Sequence, residues 1–519
     1  MNRRICQTVA FAILLMGGLP LQATSLDQIG VTLLRAMTTN VDGSGIRVAQ
    51  PEAQEFGTTN WEVNPMNATV LLPTNRFTFT SDLGTATNFP NALCGASGHA
   101  TSVAEHFYGL TNGVATNVVH VDNYDAWFFI TNFLYNLAPI PPAEIVNQSF
   151  TWGAVSISDQ QILDSDYDNY EEAYGTLFIS AACNASINLQ VSPPGTAYNS
   201  ISVGAFGGNS SIGPTPDNGR SKPDLTAPAD ETSYSTPQVA GAAALLLQAA
   251  LRGDGGNTND ASDLRVIKAL LLNGAVKPAD WTNANSSPLD ARYGAGVLNV
   301  FNSYEQLASG EQIFCASNLI SVSAAHPPVG VTNTISVTSG WDAEFIFSGA
   351  TNDTVNHYFF NVSNGMATAT LVWNRQFGAT NINDLDLFLF NTAHSNLVAC
   401  STSRVDNVEH IFATHLAAGR YDLQVVKNGG TNVVSDAEIY ALAWAFVSPA
   451  LQIARAGTNA AVSWPAYPAG FRVESATNLG APVWSTNALP PDEFTNSRNS
   501  LTLNATNALR FFRLRQPNF

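Results

Sequence analysis

Hydrophobic and polar positions alternate in two different ways along the chain. Between about 30 and 305, short β-rich runs such as IRVAQ (46–50), GTLFISAA (175–182) and NSISVGAF (199–206) are interleaved with helical stretches. The helical stretches are TSVAEHFYGL (101–110), STPQVAGAAALLLQAAL (235–251) and ASDLRVIKALLL (261–272). Such interleaving predicts an α/β domain, a parallel sheet with helices on both faces. LDQIGVTLLRAM (26–37) reads as one further helix ahead of the first strand. From about 320 to 447 the runs are short, often alternating and separated by Gly, Asn and Asp: TISVTSG, MATATLVW, DLDLFLF, RYDLQVV and IYALAWAF. That pattern predicts a β-sandwich. A last β-rich unit, 450–519, carries AAVSWPA, GFRVESATN and ALRFFRLRQP.

One helix stands out. The run Val239–Leu247 is apolar on every side, which predicts a helix buried in a core. Pro237 belongs in a first turn, where its missing N–H costs nothing, so Ser233 falls at the helix N-terminus. A serine there either caps the helix or attacks a carbonyl while its own N–H steadies the oxyanion.

Length and composition set the frame. The chain has 519 residues, more than one ordinary core, and only 12% are charged against 45% hydrophobic. A formal net charge of −18 argues against nucleic acid or an anionic membrane as partner. Arg3 and Arg4, the apolar VAFAILLMGG and the small residues of LQATS predict a signal peptide over 1–23, cleaved after Ala23. The expected domains are then 24–310, 320–447 and 450–519, in an exported monomer with no membrane span after signal removal. Cys94, Cys183, Cys315 and Cys400 remain, for which the pairs Cys94–Cys183 and Cys315–Cys400 are expected.

Four segments resemble the subtilisin-like serine proteases, the subtilases. SKPDLTAP followed by ETSYSTPQVAG (231–241) is similar to that family's nucleophile segment, with Ser233 as nucleophile and Glu231 where Gly is usual. SGHATSVAEHFYG is similar to its histidine segment, with His99 in the catalytic place and Ala100 for Gly. His106, seven residues on, reads as structural or exposed. GTLFISAACNASINL resembles the strand that delivers the oxyanion Asn, here Asn184, with Cys183 where Gly is common. GSGIRVAQPEA resembles the lead-in to the family's Asp, and that position falls on Glu52, Asp42 lying too early. A Glu orients a His through the same carboxylate bond, with a reach longer by ~1.5 Å.

The resemblance implies a serine endopeptidase acting on proteins or peptides, with catalytic Glu52, His99, Asn184 and Ser233 and no cofactor in the chemistry. EIVNQSFTWG resembles the substrate-binding strand, which puts Ser149, Phe150, Thr151, Trp152 and Gly153 on the first specificity pocket; Phe150 and Trp152 serve equally as core. No separate inhibitory pro-domain fits between signal and first strand. The 320–447 region is similar to the C-terminal sandwich of some bacterial alkaline subtilases. There Asp384 and Asp386, at alternate strand positions, either bind structural calcium or lie in a surface loop. DSDYDNYEE (164–172) lacks the Gly and closing acid of a calcium loop. Two other readings stay open: a binding protein on a catalytically impaired subtilase scaffold, motivated by Glu52, Ala100 and Glu231, and an adhesion or carbohydrate-binding protein working through its β-modules.

Overall fold

The computed structural model describes residues 24–515, except 140–142, 322–329, 349–351, 394–395, 431–432, 458, 470, 481, 487–492, 496–497 and 505–509. The expected signal peptide therefore lies outside the described residues. An eight-stranded sheet organises the first domain: β1 (Arg47–Glu52), β2 (Phe77–Ser81), β3 (Gly84–Ala86), β4 (His120–Asp125), β5 (Ile145–Gln148), β6 (Leu177–Ala181), β7 (Ile201–Phe206) and β8 (Leu225–Pro228). Its order is β3-β2-β4-β1-β5-β6-β7-β8, and every pairing is parallel except the β2–β3 hairpin.

Strands β1, β5 and β6 carry apolar residues at successive positions because both faces are covered. Val48, Ile145, Leu177 and Ile179 join one core, while Ala49, Val146 and Phe178 join the other. The helices are α1 (Ser25–Gln28), α2 (Val31–Met37), α3 (Gly98–Phe107), α4 (Ala126–Phe129), α5 (Ile157–Tyr174), α6 (Thr232–Arg252), α7 (Thr258–Ala261), α8 (Leu264–Gly274) and α9 (Val300–Ala308). Helices α3, α6 and α8 pack on the Val48 face, and α4 and α5 on the other. Along α6 the run Val239–Leu247 is buried throughout, as its apolar character predicts. No described helix is long and apolar enough to cross a membrane.

Two local expectations fail. Residues 26–37 form two helices because Gly30 adopts φ +79°, a left-handed conformation that closes one helix and opens the next. Pro237 is the sixth residue of α6, not in its first turn. A proline there removes the N–H that would bond the carbonyl four residues back, which is Ser233's.

The second domain is a sandwich of nine antiparallel strands: β9 (Ala316–Ser321), β10 (Ser339–Phe347), β11 (Asn352–Val362), β12 (Gly365–Trp373), β13 (Leu385–Asn391), β14 (Asn396–Ser401), β15 (Val408–Leu416), β16 (Gly419–Lys427) and β17 (Ala437–Val447). They form sheets β10-β17-β12-β15 and β14-β13-β16-β11-β9. Of TISVTSG (334–340), Ser339 and Gly340 open β10, while Ile335 makes an isolated bridge to Phe360 and the Thr338 carbonyl accepts the Phe446 N–H at 2.6 Å. The sandwich is tied to the first domain by Arg375–Asp168 at 2.7 Å, by Ser221 N–H to Asp406 at 2.6 Å and by Thr368 to Asn273 at 2.9 Å. Thus DSDYDNYEE lies in α5, where Asp164 and Asp168 are engaged by Arg220 and Arg375. Short strands between Gln452 and Arg515 make two further small sheets. The four described cysteines are unpaired, against the expected disulfides: the thiol of Cys94 reaches Thr59 O, and that of Cys183 lies 3.4 Å from Thr151 Oγ1.

Candidate active site

The carboxyl ends of β1, β5 and β6 and the N-terminus of α6 converge on one cleft, the edge where open α/β sheets place their ligands. Glu52 is the last residue of β1 and fully buried. His99 sits in the first turn of α3, whose N-cap Ser97 accepts the Ala100 N–H at 3.1 Å. The two side chains meet: His99 Nδ1 lies 3.1 Å from Glu52 Oε2. An ionised carboxylate only accepts, so Nδ1 carries the proton and Nε2 is left as the ring's free base.

Ser233 lies in the first turn of α6, where its N–H has no acceptor within the helix. Its orphaned carbonyl, freed by Pro237, accepts the Ser149 hydroxyl at 3.0 Å, and its own hydroxyl donates to Ser149 O at 3.3 Å. The N-terminus of α6 is thereby pinned to the extended segment that follows β5. Ser149→Ala is expected to leave that carbonyl unpaired, lowering stability by about 1–2 kcal/mol in denaturant unfolding. An unchanged midpoint contradicts the pinning.

Asn184 follows Cys183, which holds φ +95°, a conformation usual for Gly, to turn the chain after β6. Its side-chain oxygen accepts both the Thr232 N–H at 3.0 Å and the Thr232 hydroxyl at 2.8 Å. A backbone N–H only donates, so the oxygen faces Thr232 and, among the described residues, the NH2 group donates no hydrogen bond.

Asn184, His99 and Ser233 line a cavity of about 320 Å³, with Ser149, Phe150 and Thr151 from the predicted binding strand. Trp152 lines an adjoining cavity of about 630 Å³ instead, in edge-on contact with Trp127 at 6.4 Å. Phe150 and Thr151 belong to both cavities. Gly153, at φ +65°, closes the strand beside Ile187. His106 is on the same helix as His99 but lies tilted against Tyr234, ring centroids 5.6 Å apart, outside the Glu52 bond. Asp42 is taken up by the Ser44 hydroxyl and N–H in its own turn.

Among the described residues, Ser233 Oγ makes no hydrogen bond to His99; it rests on Ser149 O. Sequence reasoning also missed the acidic surroundings of the histidine. Burial alone would lower His99, but the Glu52 bond and charge, with Glu55 and Glu231 nearby, outweigh it and hold the ring above 6.5. Glu55 additionally accepts the Gly98 N–H at 3.1 Å, at the start of α3.

In the sandwich, Asp386 accepts from Asn428 at 2.9 Å, and burial beside Asp384 pushes it up to about 7. Among the described residues no group of three or more His, Cys, Asp or Glu side chains gathers to hold a metal ion, so the Asp384–Asp386 pair lacks a further ligand of that kind.

Residues 88–296 match the model of the subtilase family, peptidase family S8. His99, Asn184 and Ser233 lie inside that span and Glu52 outside it. Among solved structures the chain is similar to fervidolysin from Fervidobacterium pennivorans, a keratinolytic enzyme related to subtilisin (14% identity, 82% of this chain and 79% of that one, TM-score 0.33). It is also similar to the serine protease MycP1, an essential component of the type VII (ESX-1) secretion system (15%, 54% and 87%, TM-score 0.34). A third similar structure is tripeptidyl peptidase 2 (12%, 74% and 43%, TM-score 0.30), of which the chain spans under half the length. No curated protein matches the chain.

Proposed function

We propose, from the premise that residues 88–296 belong to the subtilase family, that the chain is an exported serine endopeptidase. The observation that carries the reading is the Glu52–His99 bond, which aims a neutral imidazole nitrogen into the cavity holding Ser233. In the reaction, rotation about the Ser233 Cα–Cβ bond turns the hydroxyl from Ser149 O towards His99 Nε2. Such contacts commonly tighten only once substrate is bound. Ser233 Oγ attacks the scissile carbonyl and His99 takes its proton. Glu52 stabilises the imidazolium that forms and keeps its proton on the ring. The oxyanion is met by the free NH2 of Asn184 and the Ser233 N–H, two donors already fixed before the charge develops. His99 then protonates the leaving amine, and water repeats the sequence on the acyl-enzyme.

The 320 Å³ cavity has an apolar part, formed by Phe56, Phe150, Ala181, Cys183 and Ile187, that suits an apolar side chain, beside Gln54 and Glu55. Work outside the cytoplasm accords with the N-terminal basic and apolar run, and protein or peptide substrates accord with the open cleft.

The reading sets a pH dependence. His99 must be neutral to accept the serine proton, and its carboxylate neighbours raise its pKa. The acid limb of kcat/KM is therefore expected above pH 6.5, activity falling as pH drops through it. Replacing Glu55 and Glu231 together by Gln is expected to move that limb down. A limb that stays put removes the two carboxylates from the account. Release of peptides from unfolded casein by the purified full chain tests the function itself; no release at any pH from 5 to 10 contradicts it.

A further inference from the structure

The carboxylate of Glu52 is fully buried, and among the described residues it receives two hydrogen bonds. One comes from His99 to Oε2. The other comes from Gln50 Nε2 to Oε1, at 2.7 Å. Gln50 lies two residues earlier on β1, so the pleat puts its side chain on the same face. It is also fully buried.

The same Gln50 nitrogen donates to Ala100 O at 3.0 Å, one residue past His99. A carbonyl only accepts, so the nitrogen faces Ala100 and Glu52 and the amide oxygen faces the other way. There it accepts the Tyr108 hydroxyl at 2.6 Å. Tyr108 is the C-cap of α3 and is itself wholly buried. Burial and the nearby Glu52 charge raise its hydroxyl well above the ordinary tyrosine value, so it keeps its proton as donor. Gln50 is thus held at both ends of α3 and grips the acid in between. Its backbone carbonyl is fixed as well, by Asn123 Nδ2 at 2.9 Å.

We infer that Gln50 is a positioning residue for the reaction, clamping the longer Glu52 side chain in register with His99 through the Tyr108–Gln50–Glu52 chain of hydrogen bonds. The inference rests on the proteolytic reading. A Glu has one more rotatable bond than an Asp, and each free torsion spreads its carboxylate over positions that do not meet the imidazole. The clamp removes that freedom. It also satisfies the second buried oxygen, which without a partner would bear the desolvation cost of an unmet acceptor.

Gln50→Met keeps the side-chain volume and deletes the donor. It is expected to lower kcat about 100-fold with KM changed by less than about twofold, because orientation and not substrate binding is lost. Tyr108→Phe leaves the ring in the core and frees only the far end of the amide, for a fall of about tenfold. The deciding variant is the double one. If Gln50 acts through Glu52, Gln50→Met/Glu52→Gln is no slower than Glu52→Gln alone.

An additional loss of about 100-fold in the double variant, or a Gln50→Met enzyme within about threefold of the parent, overturns the inference and leaves the proteolytic reading intact. A wild-type chain that cleaves nothing overturns both. Should Gln50→Met fail to fold, Tyr108→Phe carries the test: unchanged kcat with a normal unfolding midpoint overturns the clamp.

Discussion

Ser233→Ala is expected to lower kcat on protein substrates about 10⁶-fold and to abolish covalent labelling by a fluorophosphonate, with the fold retained. The size of the effect follows from where the hydroxyl sits. In the proposed mechanism it is the nucleophile, at the N-terminus of α6, and the two oxyanion donors only help a charge the serine has created. Without Oγ there is no acyl-enzyme, and the remaining donors polarise a carbonyl that nothing attacks. The structural cost is small, because among the described residues the hydroxyl makes a single 3.3 Å bond, to Ser149 O, and that bond is not the one that secures the helix. The securing bond runs from Ser149 to the Ser233 carbonyl, which alanine keeps. Labelling that survives the substitution assigns the nucleophile elsewhere.

Glu52→Gln should cost about 10⁴-fold in kcat, about 5 kcal/mol of barrier. The reason is the direction of two hydrogen bonds. In the parent, Oε1 accepts from Gln50 and Oε2 accepts from His99 Nδ1. A glutamine at position 52 has one oxygen, and Gln50 claims it. Its NH2 then faces His99 and makes Nδ1 an acceptor, which moves the ring proton to Nε2. A protonated Nε2 takes no proton from Ser233. Glu52→Asp keeps the charge but shortens the reach by ~1.5 Å, so a smaller loss, about 10²-fold, is expected. Rates measured on a chromogenic peptide decide it: a Glu52→Gln enzyme within tenfold of the parent shows that the acid does not hold the tautomer.

Much of this site is legible along the chain, and what is not has a physical reason. Strands β6 and β7 read as apolar runs and a helix buried all round reads as VAGAAALLL, whereas β4, HVDNYD, is buried yet mostly polar and carries no such signal. Ser233, His99 and Asn184 are marked by the motifs around them. The acid is harder, since Glu52 departs from the usual Asp and its adequacy depends on side-chain reach, which a one-dimensional pattern does not contain; in the fold it makes the bond that an Asp would. Gln50 and Tyr108 are invisible for a related reason. Their bonds join a strand to both ends of a helix some fifty residues away, and neither residue type signals the partner. Pro237 stands in the second turn of α6, although a proline is ordinarily tolerated only in a first turn. Here the Ser149 hydroxyl takes the carbonyl that the missing N–H abandons, making a second-turn proline acceptable. The segment TISVTSG alternates like a strand along its length, but only its last two residues join β10 and pair with β17, while Ile335 is held by an isolated bridge to Phe360.

The central claim is that one imidazole joins the Glu52 carboxylate to the Ser233 hydroxyl during catalysis. A crystal structure of the full chain after reaction with a fluorophosphonate tests it most directly. The account predicts phosphorus bonded to Ser233 Oγ, its oxygen held by Asn184 Nδ2 and the Ser233 N–H, and His99 still bonded to Glu52 with Nε2 turned to the adduct. An adduct on another residue, or an imidazole swung away from Glu52, contradicts it.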